Sequence, residues 1–179
     1  RFIYGHSLGG LLTFAYSLNR KVDAQGLIVP SPGLRTALPE QKAKVMLAKV
    51  LGSLVPAITL ASGLNPEHIS RDSQVVQAYV NDPLVHDKMT LGFGRAALQL
   101  TANIFEQVGR LSVPVLLVYC SADKLTYPRG SEEFAGLAPQ GLVTLKRFEG
   151  LYHEPHNEPE KVEVLKTYVQ WLDGQVKSA

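Results

Sequence analysis

The run Val113-Pro114-Val115-Leu116-Leu117-Val118-Tyr119-Cys120 carries no charge and no alternation of apolar with polar residues. An uninterrupted, β-branched run of this kind suits a strand covered on both faces, as happens inside a parallel sheet flanked by helices. Shorter runs repeat the theme at Phe2-Ile3-Tyr4, at Gly26-Leu27-Ile28-Val29 and over 143–148. Between them, Leu8, Leu11, Leu12, Ala15 and Leu18 fall at helical spacing, and Ser131 to Leu137 is a short helix candidate. Pro159 at a helix start, followed by Val162, Leu165, Val169, Leu172 and Val176, predicts a closing amphipathic helix. Strands alternating with helices predict an α/β fold with a mostly parallel sheet.

The middle of the chain reads differently. Gln41 to Leu60 has a helical pattern, interrupted by Pro56, and further helical patterns run from Arg71 to Val80 and from Thr90 to Val108. No convincing strand stands out there. The predicted organisation is a core of residues 1–33 and 109–179, with residues 34–108 inserted as a helical cap. The apolar residues of the cap helix around 45–60 are expected mainly to pack on the core, with some lining an apolar pocket or touching a membrane surface. Lys42, Lys44 and Lys49 read as the solvated face of that helix.

Composition excludes several classes. The chain has 179 residues, 45% hydrophobic and 19% charged, which fits a domain that buries a core rather than a disordered or fibrous protein. A net charge of +2 gives no reason to expect a nucleic-acid partner. Cys120 is the one cysteine, so no intrachain disulfide can form. No apolar run approaches the roughly 18 residues that a membrane span needs. The chain opens directly on a strand-like run, Arg1-Phe2-Ile3-Tyr4, without a Met or a polar lead-in, and is therefore expected to be part of a longer protein.

Chemistry concentrates at three strand ends. Gly5-His6-Ser7-Leu8-Gly9 is a G-x-S-x-G pattern at the predicted strand-to-helix junction. There a serine sits on a sharp turn with its Oγ exposed, while Gly5 and Gly9 let neighbouring elements approach and Gly10 helps the helix pack. The backbone N–H of Leu8, at the helix N-terminus, would face a developing oxyanion. A serine hydroxyl needs a base, and the base needs an orienting acid. Asp123 follows the long apolar strand and His153 follows the next one. Alone, Asp123 would read as a capping or turn residue and His153 as an ordinary histidine. Together they follow the chain order Ser, Asp, His expected of α/β-hydrolases.

Other groups compete less well. His153-Glu154-Pro155-His156 is not H-E-x-x-H, and Pro155 disfavours one helical face, so no metal and no cofactor is expected. His6 is expected to point away from Ser7 and to pack or shape the entrance. Cys120 is expected to be buried and inert. Glu149 and Glu154 stand too near His153 in sequence to replace Asp123 as a strand-end partner. His68 and His86 read as structural or surface residues of the cap.

Gly5-His6-Ser7-Leu8-Gly9-Gly10, the segment from Ile69-Ser70-Arg71-Asp72 to Asn81-Asp82-Pro83-Leu84-Val85, and the segment from Val113 to Ser121-Ala122-Asp123 resemble the monoacylglycerol lipase and lysophospholipase branch of the α/β-hydrolases. Phe148-Glu149-Gly150-Leu151-Tyr152-His153-Glu154 with Asn157-Glu158 is similar to that branch's histidine segment. The resemblance implies Ser7 as nucleophile, Asp123 as acid, His153 as base, and hydrolysis of monoacylglycerols or related lipid esters. Lysophospholipids, thioesters or peptides are the alternative substrates, and a non-catalytic binding protein of the same fold is the more remote alternative. Cys120 stands where many members carry Gly. The resemblance also implies N-terminal strands and a second oxyanion donor that this chain does not carry. The 179-residue piece alone is therefore expected to be poorly soluble and nearly inactive. The expected partner is a small lipid ester, with peripheral membrane contact through the cap and a cytoplasmic or peripherally membrane-associated location.

Overall fold

In a computed structural model, which describes residues 1–36 and 42–177, a four-stranded parallel sheet carries the molecule. Its strands are β1 (Phe2–Tyr4), β2 (Gly26–Pro30), β5 (Val115–Cys120) and β6 (Val143–Phe148), in the order β1-β2-β5-β6. Every residue of β2 and β5 is buried. The pleat divides their side chains between two apolar layers. Leu27, Val29, Val115 and Leu117 enter one layer with Leu11, Phe14 and Leu18 of α1 (Leu8–Asn19) and Phe134 of α5 (Pro128–Leu137). Ile28, Leu116, Val118 and Cys120 enter the other with Val164 and Tyr168 of α6 (Lys161–Lys177). This double coverage is why the run ending at Cys120 shows no alternation. The rings of Phe14 and Phe134 stack at 4.1 Å and join the two helices of the first layer. At about 25 cal/mol per Å² of apolar surface, such burial is the main stabilising term of the fold.

The boundaries differ from the sequence expectation where proline and glycine intervene. β5 starts at Val115 because Pro114 has no N–H to give to a ladder. α5 starts earlier than Ser131, with Pro128 in its first turn, a position where the missing N–H costs nothing. α6 starts at Lys161, two residues past Pro159.

Between β2 and β5 lie α2 (Lys42–Leu51), β3 (Thr59–Ala61), α3 (Ser73–Asn81), β4 (Lys88–Thr90) and α4 (Leu91–Gln107). Three expectations fail here. The long helix ends at Leu51 rather than near Leu60; Gln41, its expected first residue, lies outside the described residues. At Gly52 the chain passes so close to Ala48, Leu91 and Arg95 that a Cβ would lie 2.3 Å from the Ala48 oxygen. Pro56 then bars a helical restart. The segment also contains an antiparallel pair, β3 with β4, each three residues long, too short to show alternation in the sequence. Nor does α2 pack mainly on the core: Ala48 is its one buried residue, while Met46, Leu47 and Val50 are exposed. α4 does reach the core, through Ile104.

Candidate active site

The C-terminal ends of β1, β5 and β6 deliver the three candidate residues to one point. In an open parallel sheet this is the edge where ligands bind. β1 gives way to α1 through Ser7, whose backbone sits at φ 54°, ψ −115°. That left-handed conformation is strained for a residue with a side chain, and it turns the hydroxyl out of the chain's path. The turn is possible because two backbones nearly touch. A Cβ on Gly5 would lie 2.2 Å from Thr13 Oγ1 and 2.5 Å from the Gly9 oxygen. A Cβ on Gly10 would lie 2.9 Å from the Gly5 oxygen. Gly9, expected to serve the same purpose, has open space where its Cβ would be.

Ser7 is the N-cap of α1, yet its side chain makes no capping bond. Serine is a strongly preferred capping residue, so forgoing that bond needs a competing partner. The partner is His153, whose Nε2 lies 2.8 Å from Ser7 Oγ. On the other side of the ring, Nδ1 lies 2.9 Å from Asp123 Oδ2. A carboxylate oxygen accepts, so Nδ1–H donates to it, and Nε2 is left to accept the serine proton.

Asp123 is held from every direction. Its Oδ1 accepts the N–H groups of Leu125 at 2.8 Å and Thr126 at 2.9 Å, and its Oδ2 accepts Thr126 Oγ1–H at 2.7 Å. One carboxylate thus both closes the turn after β5 and bonds the His153 ring. Asp123 and His153 are each about 5% exposed, so water competes little for their hydrogen bonds. The N–H of Leu8, first residue of α1, has no intrahelical acceptor and stands beside the hydroxyl.

The site opens into a cavity of about 540 Å³ whose lining includes Ser7, His153, Leu64, Met89, Phe93 and Leu98. Arg35 and Lys124 also line it, and among the described residues no acidic side chain does. Arg35 is neutralised by Glu133 at 2.6 Å.

Comparison with known proteins gives this arrangement a family. Residues 1–160 match the model of the Hydrolase_4 family, described as serine aminopeptidase, S33. The chain belongs to that family. Within it, the chain falls in the monoglyceride lipase branch of the α/β-hydrolases. It is 34% identical over 173 residues to a monoacylglycerol lipase of Mycolicibacterium smegmatis, covering 96% of this chain and 61% of that one. A monoglyceride lipase of Rattus norvegicus is 32% identical over 183 residues, covering 99% of this chain and 60% of the relative. The crystal structure of Paleococcus ferrophilus monoacylglycerol lipase superposes with a TM-score of 0.92 at 34% identity, covering 97% of this chain and 68% of that one. The chain thus spans about three-fifths of the length of these curated lipase relatives.

Other residues singled out in this α/β-hydrolase sequence take separate places. His6 Nε2 lies 3.0 Å from the His153 carbonyl oxygen, and its ring lies 4.8 Å from that of His153. A carbonyl only accepts, so His6 Nε2 carries a proton. Burial, reinforced by the neighbouring His153, pulls the His6 pKa down to about 4. Cys120 is buried, and burial pushes its thiol up to about 12, too high for a thiolate nucleophile at neutral pH. Glu149 pairs with Arg147, and Glu154 accepts from Asn157 Nδ2. The backbone N–H of Lys88 donates to His86 Nδ1. Among the described residues no three His, Cys, Asp or Glu side chains converge so as to hold a metal ion.

Three contributors escaped sequence reasoning. Thr126 Oγ1 lies within hydrogen-bond reach of Asp123 Oδ2, Ser31 O and His153 Nδ1. The His68 carbonyl accepts the His153 N–H at 3.4 Å, and His68 is among the residues that line the cavity. Glu158, noted only as part of a resembling segment, is fully buried behind the histidine. A threonine three residues after an aspartate was the one available signal, since a hydroxyl there can close back on the carboxylate.

Proposed function

We propose that the full-length protein is a serine hydrolase that cleaves carboxylic esters of lipids, with monoacylglycerols as its substrates. The observation that carries this reading is the hydrogen-bond chain Ser7–His153–Asp123 at the floor of a largely apolar cavity. The apolar wall suits an acyl chain, and the polar floor suits one ester group.

In this mechanism Ser7 Oγ attacks the ester carbonyl carbon as His153 Nε2 takes the hydroxyl proton. Asp123 stabilises the imidazolium that forms. The Leu8 N–H stabilises the oxyanion of the tetrahedral intermediate. Collapse breaks the ester C–O bond, and His153 returns its proton to the departing alcohol. Water, deprotonated by His153, then attacks the acyl-Ser7 ester, releasing the fatty acid and restoring the serine.

Residues 34–108 act in this reading as a cap over a core of 1–33 and 109–179. Supporting it, Ser62, Leu64, Met89 and Phe93 wall the cavity above Ser7. The exposed Met46, Val50, Leu54 and Ile58, with Lys42, Lys44 and Lys49 nearby, are assigned to peripheral contact with a lipid surface. Among the described residues no helix is long and apolar enough to cross a membrane. The isolated 179-residue chain is assigned little turnover: β1 pairs on one side with β2, and Leu8 supplies a single oxyanion donor.

A hydrolysis panel of monoacylglycerols, lysophospholipids, acyl thioesters and peptide amides tests the proposal with the full-length protein. The expected result is the highest kcat/KM on monoacylglycerols. A preference for any other class would overturn the substrate assignment, and no turnover of any of them would favour a binding protein.

A further inference from the structure

The carboxylate of Glu158 is fully buried, yet no step of the proposed mechanism uses it. Burying a carboxylate carries a desolvation cost of several kcal/mol, and an apolar residue of similar volume often serves stability as well or better. Stability is therefore a poor reason for its presence. Its bonds suggest another. Glu158 Oε1 accepts the backbone N–H of Tyr152 at 2.9 Å and that of Arg71 at 3.1 Å. Oε2 accepts Arg71 Nε–H at 2.8 Å. Tyr152 is the residue immediately before His153.

Other peptide groups around the histidine are anchored as well. The N–H of His153 donates to the His68 carbonyl, and the N–H of Glu154 to the Ile69 carbonyl at 2.8 Å. The carbonyl of His153 accepts from His6. Ser70 Oγ–H donates to the Asn157 carbonyl at 3.1 Å. Thus residues 68–71, which continue from the cavity wall, grip residues 152–158, which carry the base. Glu158 and Arg71 form an ion pair within this grip, and Arg71 is held also by Glu160.

We propose that Glu158, through the Tyr152 N–H and the Arg71 guanidinium, is a positioning residue that holds His153 Nε2 on Ser7 Oγ. This role rests on the hydrolase reading above. The base and the nucleophile stand on different strand ends, so their 2.8 Å separation is only as good as the loop that carries the histidine. A misplacement of about 1 Å in such a site costs on the order of a hundredfold in rate. An apolar residue at 158 would leave the backbone N–H groups of Tyr152 and Arg71 without their acceptor, with Arg71 paired to Glu160 alone, and the loop would relax to satisfy them.

The test measures kcat, KM and melting temperature for the full-length protein on a soluble monoacylglycerol. Glu158→Ala is expected to lower kcat by at least about tenfold with KM within about twofold, the signature of lost alignment rather than lost binding. Glu158→Gln is expected to recover most of that loss, because its amide oxygen still accepts the Tyr152 N–H. Val115→Ala, at the far end of β5, supplies a variant of lowered melting temperature with unchanged kcat. A Glu158→Ala protein with wild-type kcat would overturn the proposal. So would a loss carried by KM, or an equal loss of kcat in Val115→Ala. Should Glu158→Ala fail to fold, Arg71→Met takes its place, with kcat lowered by about threefold or more expected and an unchanged kcat contradicting the role. Ser7→Ala separates the two readings. If it stays active the hydrolase proposal itself falls; if it is inactive while Glu158→Ala is fully active, only the positioning role falls.

Discussion

β2 and β5 bury every residue, whereas α2 buries Ala48 alone and α3 buries none. α2 and α3 lie between β2 and β5 in sequence but are held by different physics. The sheet is fixed by apolar area on both faces. The segment 42–108 touches the core through α4 and is pinned to the histidine loop by polar links, among them Arg71 with Glu158 and Ser70 with Asn157. The lesson is a division of labour. The buried sheet carries Ser7, Asp123 and His153 just past its strand ends, and the segment 42–108 supplies part of the cavity wall, Leu64, Met89 and Phe93 among it.

Changing the polar end of a buried strand should produce the largest effect. Asp123→Asn keeps the shape of the side chain but lets its amide stabilise the wrong imidazole tautomer. If the proposed triad operates, it should lower kcat by about 10⁴, measured on a monoacylglycerol, with little change in melting temperature. A loss below about tenfold would remove Asp123 from the orienting role.

One truncation made in both regions sharpens the contrast. Leu117 in β5 is 0% exposed and Leu54, just past α2, is 74% exposed. Leu117→Ala should cost about 2–5 kcal/mol in urea unfolding through lost burial and a residual cavity. Leu54→Ala should change stability by less than about 0.5 kcal/mol. Equal costs would mean that the outer face of the middle segment is covered in the folded protein.

The smallest effect concerns the boundary between the regions, where His6 packs on His153. Burial lowers the folded-state pKa of His6 from its ordinary value of 6.5 to about 4. Within that window the unfolded chain binds more protons at this residue than the folded chain does. Its contribution to stability is therefore complete above pH 6.5 and is lost as the pH falls toward about 4. His6→Gln, which keeps a donor for the His153 carbonyl without the titration, should flatten the fall in melting temperature between those pH values. An unchanged slope would contradict the burial argument.

Most of this division was legible in the sequence, for a physical reason. Apolar periodicity reports burial, so the four parallel strands and α1, α4 and α6 could be read from it. The strand ends then located Ser7, Asp123 and His153 through chain order. What stayed hidden depends on contacts distant in sequence. Nothing local marks Glu158 as fully buried or Thr126 as a partner of Asp123, and His68 contributes a backbone carbonyl that any residue possesses. β3 and β4 are too short for a period to register. The exposure of α2 went unread because a 3.6-residue apolar pattern says that a face exists, not what covers it.

The central claim is that Ser7 is a nucleophile activated by His153. The most direct measurement treats the full-length protein with a fluorophosphonate and maps the adduct by peptide mass spectrometry. The account predicts one modified residue, Ser7, with labelling abolished in Ser7→Ala and slowed in His153→Ala. An adduct on any other residue, or labelling that persists in Ser7→Ala, would contradict it.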